Sequence, residues 1–185
     1  MAHPIPEDLR TPRLWLRRWR PEDRAPFAAL NADPQVMEHM PSVATRAESD
    51  AQADRIAAHF AEHGFGLWAM EVPGVTSFAG FVGLSIPRFE AFFTPCVEIG
   101  WRLAAEFWGR GYATEGARAA LAFGFDSLRL PEIVSFTTLT NERSRRVMER
   151  IGLSHDPAEE FDHPLLPPGH RLRRHVLYRL RAPSG

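Results

Sequence analysis

Between Val97 and Gly116 the chain reads Val-Glu-Ile-Gly-Trp-Arg-Leu, then Ala-Ala-Glu-Phe-Trp-Gly-Arg-Gly, then Tyr-Ala-Thr-Glu-Gly. The first part continues Cys96 into a strand ending at Leu103, and a helix opens at about Tyr112 and runs to Leu128. A short loop holding Gly109-Arg110-Gly111 must join them. Glycines let such a backbone turn tightly and bring its N–H groups close to a ligand. Free N–H groups and the helix dipole at that point favour a phosphate, and Arg110 adds a fixed positive charge. A plain strand-to-helix turn is the alternative. A dinucleotide fingerprint does not fit, because Thr114 stands where the third glycine belongs.

The remaining elements follow from pattern. Arg13 to Trp19 alternates Leu14 and Leu16 with polar positions and reads as a strand. Pro21-Glu-Asp starts a helix through Phe27 and Leu30, and Asn31-Ala-Asp-Pro is a turn or helix stop. Ala47 to His63 is a second helix, closed by Gly64. Leu67 to Val72 and Phe78 to Ile86 are strands separated by Pro73-Gly74. Glu132 to Leu139 is a strand, Asn141 to Ile151 an Arg-rich helix, and Leu172 to Leu180 a last strand. Neighbouring strands before the long helix suggest hairpins, and the later strand-helix-strand suggests one crossover. The expected fold class is mixed α/β, with a largely antiparallel sheet in one domain spanning 1–185.

Composition narrows the function classes. A net charge of -1 and a pI of about 6.7 argue against a nucleic-acid partner. No apolar run is long enough to span a bilayer, so no membrane partner is expected. The start has no basic or apolar leader, and Cys96 is the lone cysteine, which fits a cytoplasmic setting. All 22 basic residues are arginine. That excludes a P-loop lysine, a Schiff-base lysine and a lysine general base. No Gly-x-Ser-x-Gly elbow is present, and Cys96 has no evident histidine partner. His59-Phe-Ala-Glu-His63 matches an inverted zinc motif, but Gly64 stops the helix and no third ligand is placed; no metal is expected. His163, His170 and His175 sit in a Pro- and His-rich stretch without metal spacing.

A second constellation is Thr140-Asn-Glu-Arg-Ser-Arg-Arg-Val-Met-Glu-Arg-Ile-Gly. Asn141 occupies an N-cap position and Ser144 the first helical turn. Ser144 either faces a ligand or is simply solvated. Glu98 is a charged residue in an otherwise apolar strand. It is a candidate general base, or half of an ion pair with Arg102 on the same strand face. A shift of register would turn it away and leave the role to Glu71 or to a water. Arg143, Arg145, Arg146 and Arg150 form either a phosphate contact or a solvated helix face.

Trp108-Gly-Arg-Gly-Tyr-Ala-Thr-Glu-Gly followed by Asn141-x-x-Ser-x-x-Val-Met-Glu-Arg-Ile-Gly resembles the GNAT superfamily of acetyl-CoA-dependent N-acyltransferases. The opening from Leu9 to Asp23 is similar to its RimJ/RimL-like branch, and the resemblance runs from about Leu9 to Leu180. It implies a sheet splayed between the fourth and fifth predicted strands, Cys96–Leu103 and Glu132–Leu139. The pantetheine arm of acetyl-CoA would pair with the backbone of Trp101, Arg102 and Leu103. The pyrophosphate would sit on N–H groups of Gly109, Arg110, Gly111, Tyr112 and Ala113. Asn141 would contact the arm, and Ser144 would protonate the departing thiolate. Trp108 stands where family members usually carry Gln or Arg. The implied activity is direct acetyl transfer to a primary amine, of a protein N-terminus or a small molecule, by a monomer or homodimer. A catalytically silent acyl-CoA sensor is the alternative from another class.

Overall fold

The computed structural model describes residues 7–182. Its strands are β1 (Leu9–Arg10), β2 (Trp15–Arg17), β3 (Leu67–Val72), β4 (Thr76–Ser85), β5 (Glu98–Leu103), β6 (Glu132–Thr138), β7 (Ser154–His155), β8 (Phe161–Asp162) and β9 (Arg174–Arg181). Its α-helices are α1 (Arg24–Ala32), α2 (Arg46–His63), α3 (Tyr112–Ala122) and α4 (Glu142–Arg150). One sheet runs β1-β2-β3-β4-β5-β6-β9-β7, with β8 also on β9. Every pairing is antiparallel except β5 with β6. The expected mixed α/β class with a mostly antiparallel sheet is what the chain adopts. No helix among the described residues is long and apolar enough to cross a membrane.

The core forms on both faces of β4, whose residues from Phe78 to Leu84 are all buried. Successive side chains on a strand point to opposite faces, but a register shift between the Met70–Gly80 and Val72–Thr76 pairs lets Phe78 and Phe81 share one. Phe78 and Phe81 meet Phe27 of α1 and Trp19, with the Trp19–Phe27 ring centroids 4.8 Å apart. Val82 meets α3. There a Cβ on Gly116 would lie 2.8 Å from Val82 Cγ1, so only glycine lets α3 sit this close to the sheet. Ala117, Ala120 and Leu121 complete the buried side of α3.

Several boundaries move for physical reasons. α1 ends at Ala32, inside the expected stop, and Asn31 is still helical and 0% exposed beside the buried Phe27 and Leu30. α2 starts earlier than Ala47, because Thr45 and Glu48 form a capping box in which Thr45 Oγ1 accepts from the Glu48 N–H. The expected helix to Leu128 changes to a wider turn over Phe123–Ser127, with the Leu128 N–H bonded to the Phe123 carbonyl. Strands β1, β7 and β8 have two residues each, too few to show a period.

Arg17, one of the polar positions of the first strand, is buried with Leu14 and Leu16. Its guanidinium forms a two-pronged pair with Asp23 at 2.8 and 2.9 Å. It also donates to Glu71 of β3 at 2.8 Å and to the Ser77 carbonyl of β4 at 2.6 Å. One side chain thus ties β2, the start of α1, β3 and β4. Asp23→Ala should destabilise the protein by about 1–3 kcal/mol, because it removes the two-pronged acceptor of a buried guanidinium that keeps Glu71 as its counter-ion. Urea unfolding measures this, and a loss below about 1 kcal/mol would contradict the assignment.

Candidate active site

β5 and β6 run parallel but register at one pair only, Glu98 with Val134. The Val134 N–H donates to the Val97 carbonyl at 2.9 Å, and Ser135 Oγ donates to the Ile99 carbonyl at 2.8 Å. Beyond that the strands separate, which is the expected splay. Main-chain groups alternate sides along a strand, so Val97, Ile99, Trp101 and Leu103 all face β6. Trp101 therefore presents an N–H and a carbonyl to the gap. The Leu103 carbonyl is already taken by Trp108 Nε1 at 2.9 Å, which gives Trp108 a local purpose. The main chain of Arg102 faces β4, opposite Phe81. Of residues 101–103, the main-chain groups open to the gap are therefore those of Trp101 and the Leu103 N–H, and those of Arg102 are not among them.

At one end of the gap lies the start of α3. Gly111 caps it at φ 80°, in the left-handed region where other residues are strained. The N–H groups of Tyr112, Ala113 and Thr114 have no intrahelical partner and no side-chain cap. The loop is pinned from outside. Arg13 Nη1 donates to the Arg110 carbonyl at 2.9 Å, and Arg13 Nε donates to Glu115 at 2.6 Å. Burial pushes Glu115 upward, but hydrogen bonds from Thr11 and Arg13 outweigh it and hold the carboxyl below its ordinary value.

The gap opens into a cavity of about 740 Å³, an ordinary size for a small-molecule site. Glu98, Trp101, Arg102, Leu103, Gly109, Gly111, Tyr112, Ala113, Asn141 and Ser144 all line it. Arg110 does not: it is exposed, with its guanidinium 6.0 Å from the Phe107 ring. Asn141 acts as an N-cap, accepting from the Ser144 N–H at 3.2 Å and donating to Thr137 Oγ1 at 2.9 Å. The Ser144 hydroxyl makes no hydrogen bond to another described residue. Of the arginines on α4, Arg143 pairs with Glu38 at 2.8 Å and lies over the Trp108 ring, and Arg146 pairs with Glu142. Arg145 donates to the Leu139 carbonyl. Arg150 alone of the four has a guanidinium without such a tie among the described residues.

Glu98 and Arg102 do not form the ion pair that was one reading of them. Glu98 has no hydrogen bond or ion pair among the described residues, and burial lifts its carboxyl to about 8. Glu71 is locked between Arg17 and Arg20 and lies off the cavity wall, so its candidacy ends there. Cys96 also lies off the wall, and burial, followed by the Glu98 charge, raises its thiol to about 11.

The far wall comes from a connection the sequence reading passed over and from two of the histidines it singled out. Val36, His39, Met40 and Pro41 arrive on the α1–α2 connection. That connection is tied across the gap by Arg143–Glu38 and by His39 Nδ1 with Thr138 Oγ1 at 3.4 Å. His163 and His175 face the same chamber, their rings 4.9 Å apart and packed on Phe136 and Phe161. Burial and the His175 charge lower His163 to about 4. Asn31, at the i+4 position from Phe27 on an apolar helix stripe, was a legible signal for a buried polar role. His59 is spoken for: Nδ1 meets the Phe65 carbonyl at 2.8 Å and Nε2 accepts from the Ile86 N–H at 3.1 Å.

With known proteins the agreement is broad. Residues 13–154 match the family described as an acetyltransferase (GNAT) domain. An FsC-acetyl coenzyme A-N(2)-transacetylase of Aspergillus fumigatus is 33% identical, over 95% of this chain and 80% of its own. A crystal structure of an acetyltransferase from Agrobacterium tumefaciens is 28% identical with a TM-score of 0.76, covering 98% of this chain and 97% of that one. The ribosomal L7/L12 alpha-N-protein acetyltransferase RimL, solved with coenzyme A, shares the fold at a TM-score of 0.72 and 15% identity, over 96% and 97% of the two chains.

The raised Glu98 carboxyl has a thermodynamic consequence. Between its ordinary 4.5 and about 8 the folded chain holds a proton that the unfolded chain has lost. Stability from this group therefore falls as pH rises through that window. Glu98→Gln cannot ionise. The melting temperature of the variant relative to wild type should climb from about pH 5 to about pH 9. A difference that stays flat would contradict the buried-acid assignment.

Proposed function

The chain belongs to the GNAT acetyltransferase family and is an acetyl-CoA-dependent N-acetyltransferase; from that premise we propose that it passes the acetyl group directly to a primary amine within a ternary complex. The observation that carries this reading is the continuity of one opening. It runs from the uncapped amides of α3, past the free main chain of Trp101, to a chamber holding Glu98 and Ser144. These groups suit acetyl-CoA: helix-start amides for its pyrophosphate, strand-edge amides for its arm. When bound, it supplies an activated thioester carbonyl.

Gly109, Gly111, Tyr112 and Ala113 offer the pyrophosphate their main-chain N–H groups, while Arg110 contributes only its backbone. Trp101 and the Leu103 N–H hold the arm, and Asn141 borders it. Asn141 also fixes the first turn of α4, so that Ser144 stays on the cavity wall. Glu98 accepts the proton that the amine must lose to attack, directly or through a water. Ser144 Oγ–H gives a proton to the leaving sulfur. No acyl-enzyme is needed, and the protonated, off-wall Cys96 supports direct transfer.

Within the family, the Leu9–Asp23 opening supports the RimJ/RimL-like branch, and a cytoplasmic setting goes with it. RimL is named for a protein alpha-amine and the fungal relative for an N(2) position. Both are consistent with a primary amine on a protein N-terminus or on a small molecule as acceptor.

Calorimetric titration with acetyl-CoA tests the cofactor half. Wild type should bind, and Gly111→Trp, which combines a strained φ with a bulky ring in the cradle, should lose binding. Thiol release with an amine panel tests the chemistry. Ser144→Ala should lower kcat by roughly 10²-fold with little change in acetyl-CoA affinity. The kcat/KM of wild type should rise with pH through about 8 as Glu98 ionises, and Glu98→Gln should lose that limb. Tight binding without thiol release across the panel would identify a sensor instead.

A further inference from the structure

Arg102 is a cation set on the cavity wall without a counter-ion. No carboxylate among the described residues comes within ion-pair distance of it. Its one hydrogen bond runs from Nη1 to Asn31 Oδ1 at 2.6 Å. Asn31 is fully buried, and its amide nitrogen donates to the equally buried Ser49 Oγ at 3.0 Å. That second bond orients the Asn31 oxygen toward the guanidinium. The Phe81 ring lies 5.5 Å from Arg102 Cζ and supports the group from below. Three elements, α1, α2 and β4, thus fix where this charge sits.

What the guanidinium leaves unspent is specific. Nε and Nη2 make no hydrogen bond to any described residue. In arginine these two N–H groups share one edge, the edge that holds a carboxylate by two parallel bonds. Burial lowers the guanidinium to about 10, so it keeps its charge at neutral pH. Arg102 is half-buried on the cavity wall, so an anionic ligand that replaces water at its open edge gains a two-pronged, charge-assisted pair.

The neighbouring residues define a slot. Glu98, Gly100 and Arg102 share one strand face. A Cβ on Gly100 would have only Glu98 Oε1, at 3.9 Å, within contact distance. The floor between carboxyl and guanidinium is therefore bare main chain. Val36, Met40 and Pro41 add apolar surface to the same chamber. A slot with an acid at one end and a fixed cation at the other suits a molecule carrying an amine and an anion separated by several bonds.

We propose that Arg102 is a specificity-determining residue that binds a carboxylate on the acceptor, so that the substrate class is a short amino acid-like or peptide-like amine with a free carboxylate. The inference rests on the acetyl-transfer reading above for the amine end, and on the unspent Arg102 edge for the anion end. Tethering α1 through Asn31 alone is the competing role, and it predicts no preference among acceptors.

Matched acceptors separate the two. With acetyl-CoA saturating, thiol release would be followed for glycylglycine against glycylglycinamide, and for 6-aminohexanoate against 6-aminohexanamide. Wild type should favour at least one carboxylate over its amide by about tenfold or more in kcat/KM, the scale of one charge-assisted pair. Arg102→Gln keeps a donor for Asn31 and should erase that preference through KM, leaving the amides within about twofold of wild type. Gly100→Ala, for which the fold has room, should raise KM for the preferred carboxylate. Equal turnover of acid and amide in wild type, or an equal fall of both in Arg102→Gln, would overturn the proposal while leaving acetyl transfer intact. Calorimetric binding of N-acetylglycylglycine supplies a readout free of chemistry. Binding that the amide lacks and Arg102→Gln abolishes would support the anion site even if no amine were acetylated, and that result would sink the acetyl-transfer reading alone.

Discussion

The site depends on two parallel strands that part company. In a sheet otherwise built of antiparallel pairs, β5 and β6 are joined by a helical crossover and meet at a single registered pair. An unpaired strand edge inside a protein carries main-chain donors and acceptors that need partners. Ser135 Oγ satisfies the Ile99 carbonyl and Trp108 Nε1 satisfies the Leu103 carbonyl. Trp101, between them, is left open. The crossover places the start of α3 at one end of the gap, and the helix after β6 brings Asn141 and Ser144 to its other lip. Cradle, arm site and chamber are consequences of one interrupted ladder.

Arginine does the fastening around that gap. A guanidinium can satisfy several acceptors at once, and the chain has no lysine. Arg13 joins Glu115 to the Arg110 carbonyl and holds the glycine loop. Arg17 joins four elements beneath the sheet's first half. Arg143 bridges Glu38 and the Trp108 ring, drawing the α1–α2 connection over the opening. Arg171 adds a bond to the Glu38 carbonyl at 3.1 Å. Arg102 differs from Arg13, Arg17 and Arg143 in having no carboxylate partner among the described residues. Around it the titratable groups lean toward neutrality: Glu98 is raised, and His39, His163 and His175 are lowered, each by loss of water. Arg102 therefore carries the persistent charge on that face of the chamber.

The longer elements were legible because each carries a full period or a clear punctuation mark. Leu67–Val72 was read with the bounds it has, and Tyr112 was read as the start of α3. The losses were of two kinds. The two-residue strands β1, β7 and β8 have no pattern to read and exist only because a neighbour offers an edge. α1 ends inside the Asn31–Pro34 stop that was read, but the buried roles of Asn31 and Arg17 were not, because polarity by itself does not mark a residue as buried. Both are polar groups on buried faces, made tolerable by partners far along the chain: Ser49 for one, Glu71 and Ser77 for the other.

The sequence by itself determined the strand–glycine loop–helix unit, the placing of Asn141 and Ser144 at a helix start, and the family resemblance these carry. Those are local facts, set by backbone freedom at Gly111 and by side-chain reach over three residues. The tertiary structure alone decided which charges pair. Arg102 stands on the same strand face as Glu98, so spacing allowed an ion pair. Instead the packing of α1 on β4 gave Arg102 to Asn31, and Glu98, at the closed end of the β5–β6 gap, has no charged partner among the described residues. Electrostatic partnership depends on distances between elements remote in sequence, and no local pattern encodes them.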